Sequence, residues 1–286
     1  MKKPVIIAEI GCNHKGEMAI AEEMIKTAAL FCKADAVKFQ KRNSRELLTE
    51  EEYNAPHPNP VNSYGKTYGE HREYLEFDLE QHRYLKELCE QMGLIYNCSV
   101  WDVSSAQEII SLNPHMIKIP SACNLKFDLL ELLCREYSGE IHVSFGMTTI
   151  KEEERIVSFF EKLRRNGNLV IYACTSGYPV AFDSICLYEI TRLKESYGKR
   201  VMGIGFSGHH LGIAADIAAL TLGAKWIERH YTLDRTWKGT DHAASLEPDG
   251  LRRLARDLRN VNLALKYKPQ EILSVEEEQR KKLKRY

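Results

Sequence analysis

Two lysines lie inside apolar segments that predict buried strands. Lys38 lies within AVKFQ and Lys118 within MIKI, where an unpaired ammonium group would strongly destabilise the fold. Each lysine therefore needs an anion. That anion is either a carboxylate of the chain, such as Glu9 or Glu228, or a phosphate or carboxylate group of a ligand.

Two histidines at the ends of neighbouring predicted strands suggest metal chemistry. His209 and His230 would present imidazoles, which bind divalent ions in their neutral form. A site with only two protein ligands leaves positions for water or substrate oxygens, which is typical of a catalytic metal. A single histidine after a strand is more often an ordinary polar residue than a metal ligand, so the prediction depends on both lying at one site.

The segments that must position these residues alternate between strand and helix patterns. Segments rich in Val, Ile and aromatic residues are found at 5–10, 36–40, 94–98, 116–119, 141–144, 169–173, 201–206 and 225–231. Amphipathic helical patterns separate them, most clearly the one that carries Leu251, Leu254 and Leu258. Eight such repeats predict an α/β fold of the (β/α)8 TIM barrel type, with a doubly wound open sheet as the alternative.

Polar side chains lie in or directly after every predicted strand. Active sites of (β/α)8 barrels lie where the strands end, so these side chains are predicted to meet on one rim. Lysines, hydroxyls and small glycine-containing turns together suit a phosphate or carboxylate. The predicted group comprises Glu9, Lys38, Gln40, Ser99, Lys118, Ser121, Ser144, Ser176, Tyr178, Ser207, His209, Glu228 and His230.

Composition excludes several classes of partner. The 286 residues contain 40 basic and 40 acidic side chains, a formal charge of zero, so neither nucleic acid nor a membrane surface is an expected partner. The apolar run near the N-terminus is short and contains Glu9, unlike a signal peptide. Eight cysteines without CxxC spacing then predict reduced thiols and a cytoplasmic location.

The chain is predicted to form one catalytic barrel over residues 1–270, followed by a charged helix or linker stub over 271–286. Residues 42–75 contain Pro56, Pro58 and Pro60 and are long for a strand-to-helix connection. We call residues 42–75 the insertion, and its length favours a functional role.

Taken together, these residues resemble the sialic acid synthase family. The resemblance extends from residue 6 to about residue 265 through the motifs IIAEIGCNHKG, AVKFQK, KIPSA, SFGM, CTSGYP, GFSGHHLGIAADIAALTLGAKWIERHYTLD and TWKGTDHAASLEPDGL. It implies a metal-dependent condensation of phosphoenolpyruvate with an N-acetylmannosamine-type sugar. The GKTYGEHREYLEF stretch at 65–77, the WKGTDH form of the late motif and Ser-Gly-His in place of Ser-Asp-His resemble members that use the 6-phosphorylated sugar.

The resemblance also implies roles for individual residues. Mn²⁺ or Mg²⁺ would bind His209 and His230, and Glu9 would lie near the reacting carbonyl. Gln40, Tyr178 and Asp241 would face the sugar. Phosphoenolpyruvate would be held by Lys38, Ser99, Lys118, Ser121, Ser144, Ser176 and Ser207.

Three departures from the family pattern put details of this assignment in question. Cys123 stands where many members have an acidic residue, and Asn124 is a candidate replacement for that sugar contact. Ser176 stands where some members have asparagine. The sequence ends at Tyr286, about where the linker to the family's antifreeze-like domain would begin, so we expect either a piece of a longer protein or a barrel-only form.

The antifreeze-like domain supplies an arginine to the partner subunit's site, and the family's usual homodimer exchanges it. In a barrel-only form, the insertion is a candidate source of the missing cation, through Lys66, His71 or Arg72. A homodimer is therefore an expected partner state that the sequence alone does not fix.

Two alternatives to the sialic acid synthase assignment remain open at this stage. The same condensation could use another aldose, such as mannose 6-phosphate or a diamino-dideoxy sugar. In a different class, the chain would be a non-catalytic barrel that binds only sugar or phosphoenolpyruvate. A metal-dependent barrel hydrolase is disfavoured because such enzymes usually have a richer ligand set, often with a His-x-His motif on an early strand, and the sequence has none.

Overall fold

The computed structural model describes residues 3–284, and its centre is a closed barrel of eight parallel strands in chain order. Strand β1 also pairs with β8, which leaves no open edge, so the predicted (β/α)8 barrel is confirmed and the open sheet is excluded. The strands are β1 Val5–Gly11, β2 Ala36–Lys41, β3 Ile95–Val100, β4 Met116–Ile119, β5 Glu140–Ser144, β6 Leu169–Cys174, β7 Gly203–Gly208 and β8 Trp226–His230.

Most helices follow the strands and pack their apolar faces on the outside of the barrel, whereas the last one has no buried residue. In order they are α1 Met18–Thr27, α2 Ser44–Leu47, α3 Glu50–Asn54, α4 Tyr68–Tyr74, α5 Leu79–Gln91, α6 Val103–Ser111, α7 Phe127–Glu136, α8 Ile150–Lys162, α9 Tyr188–Tyr197, α10 Ala214–Leu222, α11 Pro248–Ala264 and α12 Ser274–Leu283. The predicted apolar face of α11 is confirmed, since Leu251, Leu254 and Leu258 are fully buried.

Local sequence signals begin several of these helices. Thr149 and Glu152 form a reciprocal capping box at the start of α8, and Asp78 and Gln81 do the same for α5. Asp102 caps α6 by accepting the backbone N–H of Ser105, and its second oxygen accepts the N–H of Asn43 at 2.8 Å. Asp102 therefore joins α6 to the start of the insertion.

Strand register brings the chemistry-bearing residues to one level of the barrel. Glu9 lies opposite Lys38 on one side and opposite His230 on the other. Ser99 pairs with Lys118. Because alternate residues of a strand face the same side, this register directs these side chains into the upper interior.

The lower interior is filled mainly by apolar side chains. This layer closes the barrel beneath the polar level, so the upper interior is a cavity with a floor and not a channel. It consists of Ile7, Ala36, Met116, Val170, Tyr172 and Trp226.

The insertion folds over one side of the barrel mouth. It contains α2, α3, a 3₁₀ turn at Pro60–Asn62 and α4. Gly69 is required at the first turn of α4 because a Cβ there would lie 2.1 Å from the ring of Tyr53. The side chains of Asn43, Thr49 and Thr67 cap its three helices.

Two strands end or begin two residues away from the prediction, and the other strands differ by at most one residue. Strand β3 extends to Val100, so Ser99 lies within the strand. Strand β7 begins at Gly203 and continues to Gly208, and its glycines leave space for large rings inside the barrel. The division of the chain at residue 270 stays a prediction, and Met1–Lys2 and residues 285–286 lie outside the described residues. Among residues 3–284, no helix has the length and apolar character needed to cross a membrane.

Candidate active site

A cavity of about 450 Å³ opens where the barrel strands end. Its walls come from all eight strands and from the insertion. Every residue predicted for the site lines it except Asn124 and Lys66. The predicted residues in the lining are Glu9, Lys38, Gln40, His71, Arg72, Ser99, Lys118, Ser121, Ser144, Ser176, Tyr178, Ser207, His209, Glu228, His230 and Asp241.

The floor of the cavity contains two lysines and two glutamates, which we call the charged cluster: Glu9, Lys38, Lys118 and Glu228. Lys38 Nζ lies 2.5 Å from Glu9 Oε2 and 3.8 Å from Glu228 Oε1, and Lys118 Nζ lies 3.0 Å from Glu228 Oε2. All four side chains are at least 93% buried, with exposures of 2–7%. The chain's own carboxylates therefore neutralise both lysines.

The two carboxylates of the charged cluster have opposite pKa shifts. Burial raises the pKa of Glu9 to about 7, although Lys38 acts to lower it. Burial alone would also raise the pKa of Glu228, but Lys118 and Lys38 hold that pKa well below its usual value. Near neutral pH, Glu9 is thus able to gain or lose a proton while Glu228 stays ionised, a division of roles typical of acid–base sites.

Hydroxyl groups surround the charged cluster. Ser99 Oγ accepts a hydrogen bond from Lys38 at 2.6 Å, and Ser207 Oγ donates to Glu228 at 3.0 Å. Ser121 Oγ accepts the backbone N–H of Gly146 at 3.1 Å. A Cβ at Gly146 would lie 2.4 Å from Ser176 Oγ, so only glycine allows the hydroxyls of Ser121 and Ser176 to approach there.

The two predicted metal ligands lie side by side. The ring centroids of His209 and His230 are 5.3 Å apart, and the ring of Tyr178 contacts both. Burial lowers the pKa of His209 to about 3 and also lowers that of His230. Both rings are therefore neutral near pH 7, which is the form that binds metals.

The hydrogen bonds made by His209 and His230 are compatible with binding of a divalent ion. The carbonyl of Thr175 accepts a hydrogen bond from His209 Nδ1 at 2.9 Å, which leaves the Nε2 lone pair free to bind a metal. His230 Nδ1 is buried without a hydrogen-bond partner and lies 3.9 Å from Asp241 Oδ2. Within residues 3–284, no cluster of three or more His, Cys, Asp or Glu is arranged as a metal site, so an ion here would also need water or substrate ligands.

The insertion forms part of the cavity wall, and this part contains a cation without a carboxylate partner. Arg72 lines the cavity, its Nε is buried without a hydrogen-bond partner, and no carboxylate of the described chain lies within ion-pair distance of it. Its guanidinium lies 4.9 Å from the ring of Tyr68. By contrast, the neighbouring Arg42 is paired with Glu76 at 2.6 Å.

Two histidines of the insertion lie in the same wall. The backbone N–H of Asn59 donates to His57 Nδ1 at 3.0 Å, and that of Tyr64 donates to His71 Nδ1 at 3.1 Å. Because each Nδ1 accepts a hydrogen bond, each neutral ring has its proton on Nε2. Burial lowers the pKa of His71 to about 4, so this histidine is a neutral N–H donor in the same wall as the Arg72 cation.

Two of the predicted assignments do not fit the geometry. Asn124 does not line the cavity, since its amide donates to the Ser144 carbonyl at 2.8 Å and to Thr148 Oγ1 at 2.6 Å. Its role is to hold the turn after β5. Lys66 is exposed and does not line the cavity either, which leaves Arg72 as the cation from that segment.

Several residues line the cavity but were not predicted for the site, among them Arg42, His57 and Trp101. Glu228 was predicted on the rim, as an ion-pair partner of the lysines. Strand alternation gives a signal for Arg42 and Glu228, because Arg42 continues the series Lys38 and Gln40, and Glu228 precedes His230 by two residues. Trp101 has no such signal, since it follows β3.

Comparison with known proteins gives consistent matches over the barrel. The NeuB family profile matches residues 24–270. The chain is 36% identical over 271 residues to the N-acetylneuraminate-9-phosphate synthase of Homo sapiens, an alignment that covers 95% of this chain and 74% of that protein. It is 31% identical over 269 residues to the N,N'-diacetyllegionaminic acid synthase of Campylobacter jejuni, covering 93% and 78% of the two chains.

A solved structure has the same architecture. The N-acetylneuraminic acid synthetase of Leptospira borgpetersenii, crystallised in complex with citrate, superposes with a TM-score of 0.83 at 29% sequence identity. The match covers 100% of this chain and 94% of that one. The similarity therefore extends over the whole barrel.

Proposed function

This chain belongs to the NeuB family, whose matched members are named synthases of sugar acids, and we propose that its sugar substrate is N-acetylmannosamine 6-phosphate. The enzyme is a phosphoenolpyruvate-dependent synthase of this family. In the proposed reaction, phosphoenolpyruvate and the open-chain sugar phosphate give N-acetylneuraminate 9-phosphate and inorganic phosphate.

The unpaired guanidinium of Arg72 is the observation on which the choice of a phosphorylated sugar depends. A partly buried cation without a carboxylate partner is stabilised by an anionic ligand. The N–H donors of His57 and His71 stand in the same wall. A sugar 6-phosphate supplies the anion that this wall lacks, whereas the free sugar does not.

Phosphoenolpyruvate would bind over the charged cluster. Lys38 and Lys118 would contact its phosphate and carboxylate, with hydroxyls from Ser99, Ser144 and Ser207 around them. When Glu9 is protonated, the charged cluster contains two cations and one anion, so its net charge becomes positive. The raised pKa of Glu9 therefore supports entry of an anionic substrate.

Carbon–carbon bond formation would join C3 of phosphoenolpyruvate to the aldehyde carbon of the sugar. Water then adds at C2, and the phosphate leaves from the resulting tetrahedral intermediate. Glu9, when ionised, would accept the proton that the attacking water loses. Gln40, Tyr178 and Asp241 would orient the sugar chain from the rim.

His209 and His230 would hold Mn²⁺ or Mg²⁺. When bound, such an ion supplies a Lewis acid for the aldehyde oxygen. The protein's part is to keep both imidazoles neutral and oriented. The Thr175 carbonyl does this for His209 through its Nδ1 proton.

The test is phosphate release from phosphoenolpyruvate with Mn²⁺ and four acceptor conditions: N-acetylmannosamine, its 6-phosphate, mannose 6-phosphate and no sugar. We expect release that requires N-acetylmannosamine 6-phosphate and that is lost in His230→Ala. Release with mannose 6-phosphate alone, or with the unphosphorylated sugar at equal efficiency, would contradict the proposed substrate.

Phosphoenolpyruvate binding without phosphate release under any of the four conditions would instead favour a non-catalytic barrel. Calorimetric titration of phosphoenolpyruvate alone measures this binding. The Lys118→Met variant is its control, because it removes one ammonium from the proposed binding surface.

A further inference from the structure

Tyr172 on β6 lies directly beneath one lysine of the charged cluster, below the level of the cavity walls. Its side chain is fully buried and is absent from the cavity lining. Lys118 Nζ lies 3.6 Å from the centre of the Tyr172 ring. At that separation the ring face attracts the ammonium, and the attraction is strong because both groups are removed from water.

A hydrogen-bonded chain fixes this ring from below. Tyr172 Oη lies 2.7 Å from His142 Nδ1, and His142 Nε2 lies 3.0 Å from Glu140 Oε2. The carboxylate of Glu140 can only accept when ionised, so His142 Nε2–H donates to it and Nδ1 accepts the tyrosine proton. His115 Nε2 lies 3.3 Å from the second oxygen of Glu140 at the bottom of the barrel.

Neighbouring glycines leave the space that the rings occupy. A Cβ at Gly205 would lie 2.5 Å from the Tyr172 ring, and a Cβ at Gly203 would lie 2.4 Å from the ring of Trp226. Both glycines lie on β7, between the strands that carry these rings. The ring beneath Lys118 is therefore accommodated by the backbone of an adjacent strand.

The ring and Glu228 together limit where the Lys118 ammonium can lie. An ammonium has three N–H groups, of which one donates to Glu228 Oε2 at 3.0 Å. The ring face holds the group from below, so the remaining donor capacity is directed to the cavity. Without the ring, the flexible lysine chain would be free to move down into the vacated space.

We propose that Tyr172 is a positioning residue that holds Lys118 at the height needed to bind phosphoenolpyruvate, and that His142 and Glu140 fix its ring. This inference rests on the proposed role of Lys118 as a ligand of phosphoenolpyruvate. It adds a residue that touches no substrate and acts only through Lys118.

The kinetic test compares Tyr172→Leu with Tyr172→Phe. The leucine variant loses the ring, and we expect the KM for phosphoenolpyruvate to rise about tenfold while the KM for the sugar stays within twofold. The phenylalanine variant keeps the ring, so its KM for phosphoenolpyruvate should stay within threefold of the wild type. Equal KM values for phosphoenolpyruvate in the two variants, or a parallel rise for both substrates, would overturn the inference.

A second measurement requires neither turnover nor catalytic activity of the leucine variant. In the NMR spectrum of protein labelled with ¹³C-lysine, the aromatic ring should shift the resonance of the Lys118 ε-methylene protons upfield. This resonance is assigned by its loss in Lys118→Met. The shift should persist in Tyr172→Phe and disappear in Tyr172→Leu. An unshifted signal in the wild type would overturn the inference, whereas failure of the wild type to release phosphate would overturn the proposed function alone.

Discussion

The barrel strands and the insertion line one cavity, and they differ in how their charges are balanced. On the strands, Lys38 and Lys118 are each within ion-pair distance of a glutamate. In the insertion, Arg72 has no carboxylate partner within the described residues, and its Nε is buried without a hydrogen bond. One wall is electrostatically complete and the other lacks an anion.

This difference separates two tasks of the site. A balanced cluster is preorganised, and a change in the protonation of Glu9 adjusts its net charge. An unbalanced cation instead selects a ligand by the charge that the ligand brings. In the proposed reaction, the strands would provide the chemistry and the insertion would select the sugar.

Removing the proton acceptor from the balanced wall should have the largest effect. Glu9→Gln keeps the size of the side chain but cannot accept a proton near neutral pH, so we expect kcat to fall about a thousandfold. Steady-state phosphate release measures this. A variant within tenfold of wild-type kcat would show that Glu9 is not the base.

Removing the ionised carboxylate of the same wall should chiefly affect stability. Glu228→Gln leaves Lys118 buried without its partner, and we expect the free energy of unfolding to fall by about 3–5 kcal/mol in urea denaturation. Glu161→Gln is the matched control, because its pair with Arg200 is partly exposed and should contribute under about 1 kcal/mol. Equal losses in the two variants would contradict the contrast between the buried cluster and surface pairs.

In the insertion, Arg72→Met should raise the KM for the 6-phosphorylated sugar about 30-fold, the expected loss of one charge-assisted hydrogen bond. The KM for phosphoenolpyruvate should stay within twofold, because that substrate is proposed to bind over the charged cluster. Lys66→Met is the control and should leave both constants unchanged, since Lys66 is exposed. A similar rise in KM from both variants would remove the distinction between the two walls.

The pH dependence of kcat/KM tests the role of Glu9 as the base. As a base, Glu9 must be ionised, and its pKa is about 7. The value of kcat/KM should therefore fall about tenfold for each pH unit below 7 and level off above it. The pKa of His209 is about 3, so this histidine does not cause the change of slope near pH 7. A profile whose slope changes only below pH 5 would exclude Glu9 as the titrating group.

Much of the fold follows from local pattern. Alternation of apolar strands with amphipathic helices predicts eight repeats, and the capping residues Thr149 and Asp78 mark where two helices begin. The ends of β3 and β7 were less predictable. The predicted strand at 201–206 already contains Gly203 and Gly205, but β7 begins and ends two residues later, and large rings from its neighbours occupy the space beside these glycines.

Predicted side chains that alternate along a strand face the cavity, whereas two predicted residues in loops, Asn124 and Lys66, do not line it. Lys38 and Gln40 face the cavity because they lie two residues apart on β2. Asn124, which follows β4 in a turn, instead faces the backbone after β5. Between Lys66 and Arg72, no sequence pattern tells which one reaches the cavity.

The sequence by itself determined the barrel, its polar rim and the residue types that meet there, because periodicity and strand ends are local properties of the chain. Tertiary structure alone decided how charges are paired. Glu228 lies 110 positions from Lys118, and Tyr172 lies beneath Lys118 only because barrel closure and strand register bring them together. Ion pairing, burial and the resulting pKa shifts depend on distances of a few ångströms between segments that are remote in sequence.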